Sequence, residues 1–268
     1  LELSQGTLDN NVTGEGQIVK SGSDELIVTG DNTYSGGTTI TGGILAAKDA
    51  ASLGSGDVDI AENAKLELSQ GTLDNNVTGE GQIVKSGSDE LIVTGANDYS
   101  GGTTISGGTL IADHADSLGI GAIDNSGVLQ VGEGELENTL SGAGSLVKTG
   151  TGELTLNGDN DYSGGTTISD GTLIADHADS LGSGDIDNSG VLKVGEGELK
   201  NTLSGSGSLV KTGTGELTLS GDNNTYFGDT TIAGGTLIAA NVNALGSGNI
   251  DNSGTLMLDA NGAFELAN

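Results

Sequence analysis

The sequence lacks several residue types, and each absence excludes a class of protein or site. No cysteine occurs in its 268 residues, which excludes disulfides, zinc–thiolate sites and cysteine nucleophiles. The hydrophobic runs are only a few residues long, whereas a membrane-spanning helix needs roughly 20. No basic leader with an apolar core opens the chain, so we expect a mature or excised segment.

Positive charge and aromatic residues are also scarce. The chain has 38 acidic residues, eight lysines and no arginine, and its net charge is -30. Such a charge repels nucleic acid and anionic lipid headgroups at long range, so neither is an expected partner. Four tyrosines and two phenylalanines are the only aromatic residues. A hydrophobic content of 33% favours a folded chain, although the few aromatics leave disorder open as an alternative.

What the chain has in abundance is repetition. Residues 1–30 and 66–95 are identical, and one tyrosine recurs at intervals of 65, 63 and 64 residues. The recurring residues are Tyr34, Tyr99, Tyr162 and Tyr226, and a shared (I/L)VK(S/T)G box contains Lys20, Lys85, Lys148 and Lys211. The repeat predicts a single elongated domain over residues 1–268. Its approximate units are 1–65, 66–128, 129–191 and 192–255, with a partial unit at 256–268.

Within a unit, short segments alternate apolar and polar residues between clusters of glycine, asparagine, aspartate and serine. This alternation is typical of β-strands, and the best helical candidate, residues 112–119, is too short to stand alone. Near-identical units stack on one another, so we predict an all-β parallel β-helix with about 20 residues per turn. The predicted inward residues are Leu154, Leu156, Ile105, Leu110, Ile186 and Leu192.

Residues 145–173 read SLVKTGTGELTLNGDNDYSGGTTISDGTL and closely resemble the autotransporter-associated β-strand repeat, also called the passenger-associated transport repeat. The same text recurs at 208–237 and, in degenerate form, at 17–45 and 82–110. The resemblance implies a right-handed parallel β-helix, exported to the surface of a Gram-negative bacterium as the passenger of an adhesin. It implies no catalytic residues. We expect an uncapped fragment, attached to a membrane only through a C-terminal translocator barrel outside this sequence.

Two motifs suggest chemistry that the context does not favour. Residues 145–150 contain overlapping S-x-x-K and K-T-G motifs, which lie far apart in serine acylases of the β-lactamase type. The same text recurs at residues 208–213. We interpret both stretches as strands whose lysine points to solvent.

A candidate calcium loop is formed by Asp185, Asp187, Ser189 and Glu196, which match positions 1, 3, 5 and 12 of an EF-hand. No helices flank this loop, and the equivalent loops begin with Ala122 or Asn249. We therefore favour an Asp/Asn-rich corner and no cofactor, with calcium as the alternative.

The remaining candidates are weaker as sites. His114 and His177 occupy the same place in two ADHADS stretches, and we expect exposed loop histidines rather than metal ligands. Polysaccharide lyases need Arg or Lys to hold a sugar acid, and hydrolases need one distinctive Asp cluster, so we expect no enzyme. An ice-binding face needs a T-x-T ladder, whereas the threonine pairs here are adjacent and occur once per unit.

Two functions remain open at this point. Repeated low-affinity sites favour adhesion to a host matrix protein such as fibronectin, or self-association between cells. The scarcity of aromatic residues favours instead a structural stalk that projects a distal tip and assists export, because binding hot spots are enriched in Trp, Tyr and Arg.

Overall fold

Strands of two to nine residues stack in parallel throughout the described chain. The computed structural model describes residues 1–259 and is an all-β parallel β-solenoid, as the alternation and the repeat predict. Ile18, Thr38, Val58 and Val77 lie in register on successive turns, so one turn takes about 20 residues. In residues 1–259, no helix is long and apolar enough to cross a membrane.

The chain divides into two compact units, and the first is Leu1–Gln130. Its strands are β1 (Glu2–Leu3), β2 (Gly6–Leu8), β3 (Ile18–Lys20), β4 (Glu25–Val28), β5 (Thr38–Ile40), β6 (Ile44–Asp49), β7 (Val58–Ile60), β8 (Lys65–Leu73), β9 (Val77–Gly79), β10 (Gln82–Lys85), β11 (Glu90–Val93), β12 (Thr103–Ile105), β13 (Thr109–His114) and β14 (Ile123–Asn125). β15 (Val128–Leu136) contains the division.

The second unit begins at Val131. Its strands are β16 (Leu140–Ser141), β17 (Ser145–Lys148), β18 (Glu153–Leu156), β19 (Thr166–Ile168), β20 (Thr172–His177), β21 (Ile186–Asn188), β22 (Val191–Leu199), β23 (Leu203–Ser204), β24 (Ser208–Lys211), β25 (Glu216–Leu219), β26 (Thr230–Ile232), β27 (Thr236–Ala239), β28 (Ile250–Asn252) and β29 (Thr255–Leu258).

Each unit arranges its strands in three sheets. In the first unit they are β1-β3-β5-β7-β9, then β2-β4-β6-β8-β10-β12-β14, then β8-β11-β13. The second unit repeats this order with β17-β19-β21-β23, β18-β20-β22-β24-β26-β28 and β22-β25-β27-β29. The long strands β8 and β22 each belong to two sheets, so they form corners between neighbouring faces.

The core consists of aliphatic side chains, with one to three from most strands. All six predicted inward residues are buried, with at most 1% of their surface exposed. Three short 3-10 turns, Ala50–Leu53, Ala115–Leu118 and Ala178–Leu181, close corners of the coil. Residues 112–119, the best helical candidate in the sequence, form only the second of these turns.

The two identical thirty-residue segments differ in burial. Leu1 is 57% exposed, whereas its counterpart Leu66 is fully buried between Leu45 of β6 and Ile83 of β10. The second copy has a paired strand on each side and forms the continuous nine-residue strand β8. Stacking on both sides, rather than local sequence alone, therefore determines how far a strand extends.

Candidate functional site

The repeated lysine is buried in all four copies, which corrects the expectation that it points to solvent. Lys20 has no exposed surface, and its Nζ donates hydrogen bonds to the backbone oxygens of Ser21 (2.7 Å), Gly22 (3.1 Å) and Gly42 (2.9 Å). The same cage of carbonyl oxygens surrounds Lys85 and Lys148. Nζ of Lys211 donates to the backbone oxygens of Thr212 and Gly213. Burial lowers the pKa of Lys20 below its usual 10.5, and the charge of Asp24 opposes that shift.

The lysine cage requires glycine on the following turn. Gly171 has a φ of +67°, and a Cβ there would lie 2.5 Å from the oxygens of Gly150 and Gly152 and 2.9 Å from Nζ of Lys148. Gly43, Gly108 and Gly235 hold the equivalent places in the other copies. The ammonium group and the glycine together hold two turns at close distance.

Buried tyrosine and asparagine side chains fix a second corner. The Tyr34 hydroxyl lies 2.6 Å from Oγ1 of Thr38, and both side chains are buried. Asn32 bridges three turns, because its Oδ1 accepts from Val12 N (2.7 Å) and its Nδ2 donates to Ser52 O (2.7 Å). The same pairs recur as Tyr99–Thr103, Tyr162–Thr166 and Tyr226–Thr230, and the same amide bridge at Asn97, Asn160 and Asn224. Every buried side-chain nitrogen and oxygen in the described chain has a hydrogen-bond partner.

These rigid corners place one row of side chains outward on the longest sheet of each unit, and we name this row the outward ladder. In the first unit it consists of Ile27, Ala46, Glu67, Val84, Thr104 and Asp124, paired strand to strand. In the second unit it consists of Thr155, Ile174, Lys193, Val210, Thr231 and Asp251. Both ladders end in Val, Thr and Asp on three successive turns, roughly 4.8 Å apart.

The four lysines of the second unit are either buried or close to a glutamate. Lys148 and Lys211 are buried, Lys193 forms a 2.7 Å ion pair with Glu153, and Lys200 lies 3.4 Å from Glu198. The exposed surface of this unit is consequently strongly acidic.

The calcium candidates lie on different strands. Asp185, Asp187 and Ser189 are exposed in and beside β21, whereas Glu196 is exposed in β22, opposite His177 of β20. Within residues 1–259, no group of three or more His, Asp and Glu side chains has the geometry to hold a metal ion.

The other sequence candidates also have defined positions. His114 and His177 are exposed at the ends of β13 and β20, each just before a 3-10 turn, and His177 Nδ1 lies 3.3 Å from Oδ2 of Asp179. Ser145 and Lys148 lie on opposite faces of β17, with the lysine inward. The strand therefore separates the two groups that a serine–lysine nucleophile would need together.

Four segments match the family model described as Passenger-associated-transport-repeat: residues 18–47, 83–112, 146–175 and 209–239. They are passenger-associated transport repeats. Each repeat contains one buried lysine in its cage, one bridging asparagine and one Tyr–Thr pair. These polar contacts are thus the internal structure of the repeat itself.

Similar proteins place the repeats in an autotransporter passenger. The chain is 34% identical over 221 residues to the Adhesin BmaC autotransporter of Brucella suis biovar 1 (strain 1330), covering 81% of this chain and 5% of that protein. It is 28% identical over 287 positions to the Uncharacterized lipoprotein YdeK of Escherichia coli (strain K12), covering 91% of this chain and 22% of that protein. No solved structure matches. The chain is similar to part of an adhesin-type autotransporter and spans only a small part of the length of these relatives.

Sequence reasoning missed one surface feature. Phe227 is 64% exposed, at the position where the other three repeats have Ser35, Ser100 and Ser163. The signal was present in the sequence, because YFGD replaces YSGG in the fourth repeat.

Proposed function

We propose that the chain is a non-catalytic adhesive segment exposed on the surface of a Gram-negative bacterium. The passenger-associated transport repeats and the likeness to a Brucella adhesin support a surface-exposed, adhesin-like passenger. The ligand in this proposal is a host extracellular-matrix protein such as fibronectin, or the same protein on a neighbouring cell.

The observation that supports adhesion is the recurrence of the outward ladder. Val84, Thr104 and Asp124 are matched by Val210, Thr231 and Asp251, with the same order on successive turns. A ligand that binds one ladder weakly can bind two or more together, and the effective concentration of linked sites raises avidity by 10²–10⁴. Half-buried Val and Thr next to a carboxylate provide apolar contact and hydrogen bonding without a deep pocket.

Variants of the ladder threonines test this proposal. Purified chain is measured for binding to immobilised fibronectin, and chain-coated beads are measured for aggregation. We expect Thr104→Arg or Thr231→Arg to lower avidity in one step, and the double variant to lower it further. Thr218→Arg is the matched control, because Thr218 also faces outward but lies on β25, in a different sheet. Equal binding by the double variant and the control would contradict the ladder as the binding surface.

The alternative proposal is a structural stalk, which one observation favours. All four tyrosines are buried, so Phe227 is the only exposed aromatic residue in the described chain. Interfaces draw most of their binding energy from buried aromatic and arginine anchors, which the outward ladders lack. Absence of both fibronectin binding and bead aggregation by the intact chain would support the stalk and contradict adhesion through this segment.

A further inference from the structure

The corner around Phe227 differs from its three counterparts in three ways at once. Phe227 replaces a serine, Asp229 replaces a glycine, and one residue is inserted before the tyrosine, where GDNNTY stands for GDNTY. The counterparts of Asp229 are Gly37, Gly102 and Gly165, whose φ angles are +85°, +85° and +87°. Asp229 has no positive φ, whereas nearby Asn223 has a φ of +60°. The backbone conformation of this corner therefore differs from that of the other three.

Small polar residues flank the phenylalanine ring on both neighbouring turns. Phe227 N donates to Gly205 O (3.0 Å), and Ser247 N donates to Tyr226 O (3.1 Å). This register places Ser206 and Ser247, both exposed, on either side of Phe227. The ring thus stands above a surface of serine and glycine, which leaves space beside it for a ligand.

An exposed carboxylate lies two residues beyond the ring, before β26 begins. Asp229 follows Phe227 across a bend at Gly228, so the Cα atoms of the two residues are at most about 7 Å apart. Its Oδ1 accepts a hydrogen bond from Asn249 N (2.9 Å), which holds the carboxylate in place. In the other three repeats the residue corresponding to Asn249 is Asp57, Ala122 or Asp185. In the fourth repeat the carboxylate is therefore Asp229, one turn before Asn249 and two residues after Phe227.

We propose that Phe227 and Asp229 form a binding site for an arginine-containing basic segment of a partner protein. A guanidinium group stacks on an aromatic face within about 6 Å of its centre and forms paired hydrogen bonds to a carboxylate. The net charge of -30 draws cationic partners to this surface, and the lysines of this unit are buried or paired with glutamates. This site goes beyond the outward ladders and is independent of them.

The test measures the binding of a fluorescein-labelled nona-arginine peptide to the whole chain by fluorescence anisotropy, in about 0.15 M salt to screen long-range attraction. We expect Phe227→Ser to weaken binding about two- to fivefold and Asp229→Asn to weaken it similarly. A nona-lysine peptide should lose less affinity on Phe227→Ser, because an ammonium lacks the planar stacking surface of a guanidinium. Serine is the residue of the other three repeats at this position, so the variant is expected to fold, which its circular dichroism checks.

Two matched controls separate this site from general charge attraction. Asp187→Asn removes one exposed carboxylate elsewhere in the same unit and should leave affinity unchanged. Ile120→Ser removes another strongly exposed hydrophobic side chain, which is 72% exposed but has Gly102 and Ala122 where a carboxylate would stand. If Phe227→Ser and Asp229→Asn bind the peptide as Asp187→Asn does, the attraction is non-specific and the proposal is wrong.

Discussion

At the scale of single residues, each repeat buries the ammonium group of a lysine and supplies its hydrogen-bond partners. Each buried ammonium replaces its water shell with backbone oxygens. Those of Lys85 come from two successive turns, at Ser86, Gly87 and Gly107. Removing the side chain leaves those oxygens without their donor in a closed corner. Removing one partner from a buried charged contact costs more than the contact itself contributes.

Replacing a caged lysine should therefore be costly. We expect Lys211→Ala to lower the free energy of unfolding by about 3–5 kcal/mol. Lys193→Ala, which breaks only the partly exposed ion pair with Glu153, should cost about 0–1 kcal/mol. Urea unfolding followed by circular dichroism measures both. Similar small losses for the two variants would show that the ammonium cage contributes little.

Buried tyrosines make the fold sensitive to alkali. Burial raises the pKa of Tyr162 from 10.0 to about 12, with the hydrogen bond to Thr166 opposing the shift. Between these values the unfolded chain loses the proton and the native chain keeps it. The unfolding free energy therefore falls as pH rises from 10 to 12, by about 3 kcal/mol in full. The caged lysines act in the opposite sense below 10.5, because their native pKa values are lowered.

A phenylalanine variant separates the two effects. Tyr162→Phe should flatten the decline of stability above pH 10 relative to the parent chain, while the lysine contribution stays the same in both proteins. Denaturation midpoints from pH 9 to 12 and the ultraviolet absorbance of tyrosinate provide the measurement. A native chain whose tyrosines all ionise near pH 10 would show that the rings are open to solvent.

At the scale of the structural elements, close approach of successive turns decides where glycine is required. Gly150 and Gly171 share a φ of +67°, yet a Cβ meets nothing within 4 Å at Gly150 and three atoms below 3 Å at Gly171. Gly150→Ala should cost about 1–2 kcal/mol for the left-handed backbone. Gly171→Ala should cost about 1–3 kcal/mol more, because it also displaces the cage of Lys148. Thermal unfolding of the pair checks this, and equal losses would contradict the steric argument.

The sequence was sufficient to predict the strands, the parallel stacking and the aliphatic core, because the apolar residues alternate and the units repeat. The same alternation also placed Lys148 inward, two residues after buried Leu146 on β17. The interpretation that Lys148 points to solvent relied on the general preference of lysine for water rather than on this alternation, and it was wrong. One oxygen of the carbonyl cage that makes an inward lysine tolerable, that of Asp170, comes from a neighbouring turn about 20 residues away, which local sequence does not reveal.

Prediction of the surface was less complete for the same reason. The YFGD text was visible, but the exposure of Phe227 depends on small residues of adjacent turns, Ser206 and Ser247. The calcium alternative, which the sequence analysis did not favour, takes residues 185–196 as one loop; in the structure Asp187 and Glu196 belong to strands of different sheets. Spacing along the chain is a poor guide to proximity when a corner separates two residues.

At the scale of the whole molecule, charge opposes the compact state. The chain has 38 acidic residues, and four of its eight lysines are buried, so most exposed ionisable groups are carboxylates. Their mutual repulsion favours expansion of the chain. Because the repulsive groups are exposed, dissolved salt can screen them, whereas the buried lysine cages are screened much less.

Stability should accordingly rise with ionic strength. Raising sodium chloride from about 10 mM to about 150 mM shortens the Debye length from roughly 30 Å to roughly 8 Å, so we expect a higher thermal midpoint. Calcium chloride at the same ionic strength should raise the midpoint further only if carboxylates bind the ion directly, and Asp187→Asn should abolish that excess if the 185–196 carboxylates are responsible. A midpoint independent of sodium chloride would contradict the argument, because it would mean that repulsion among surface carboxylates does not limit the stability of the fold.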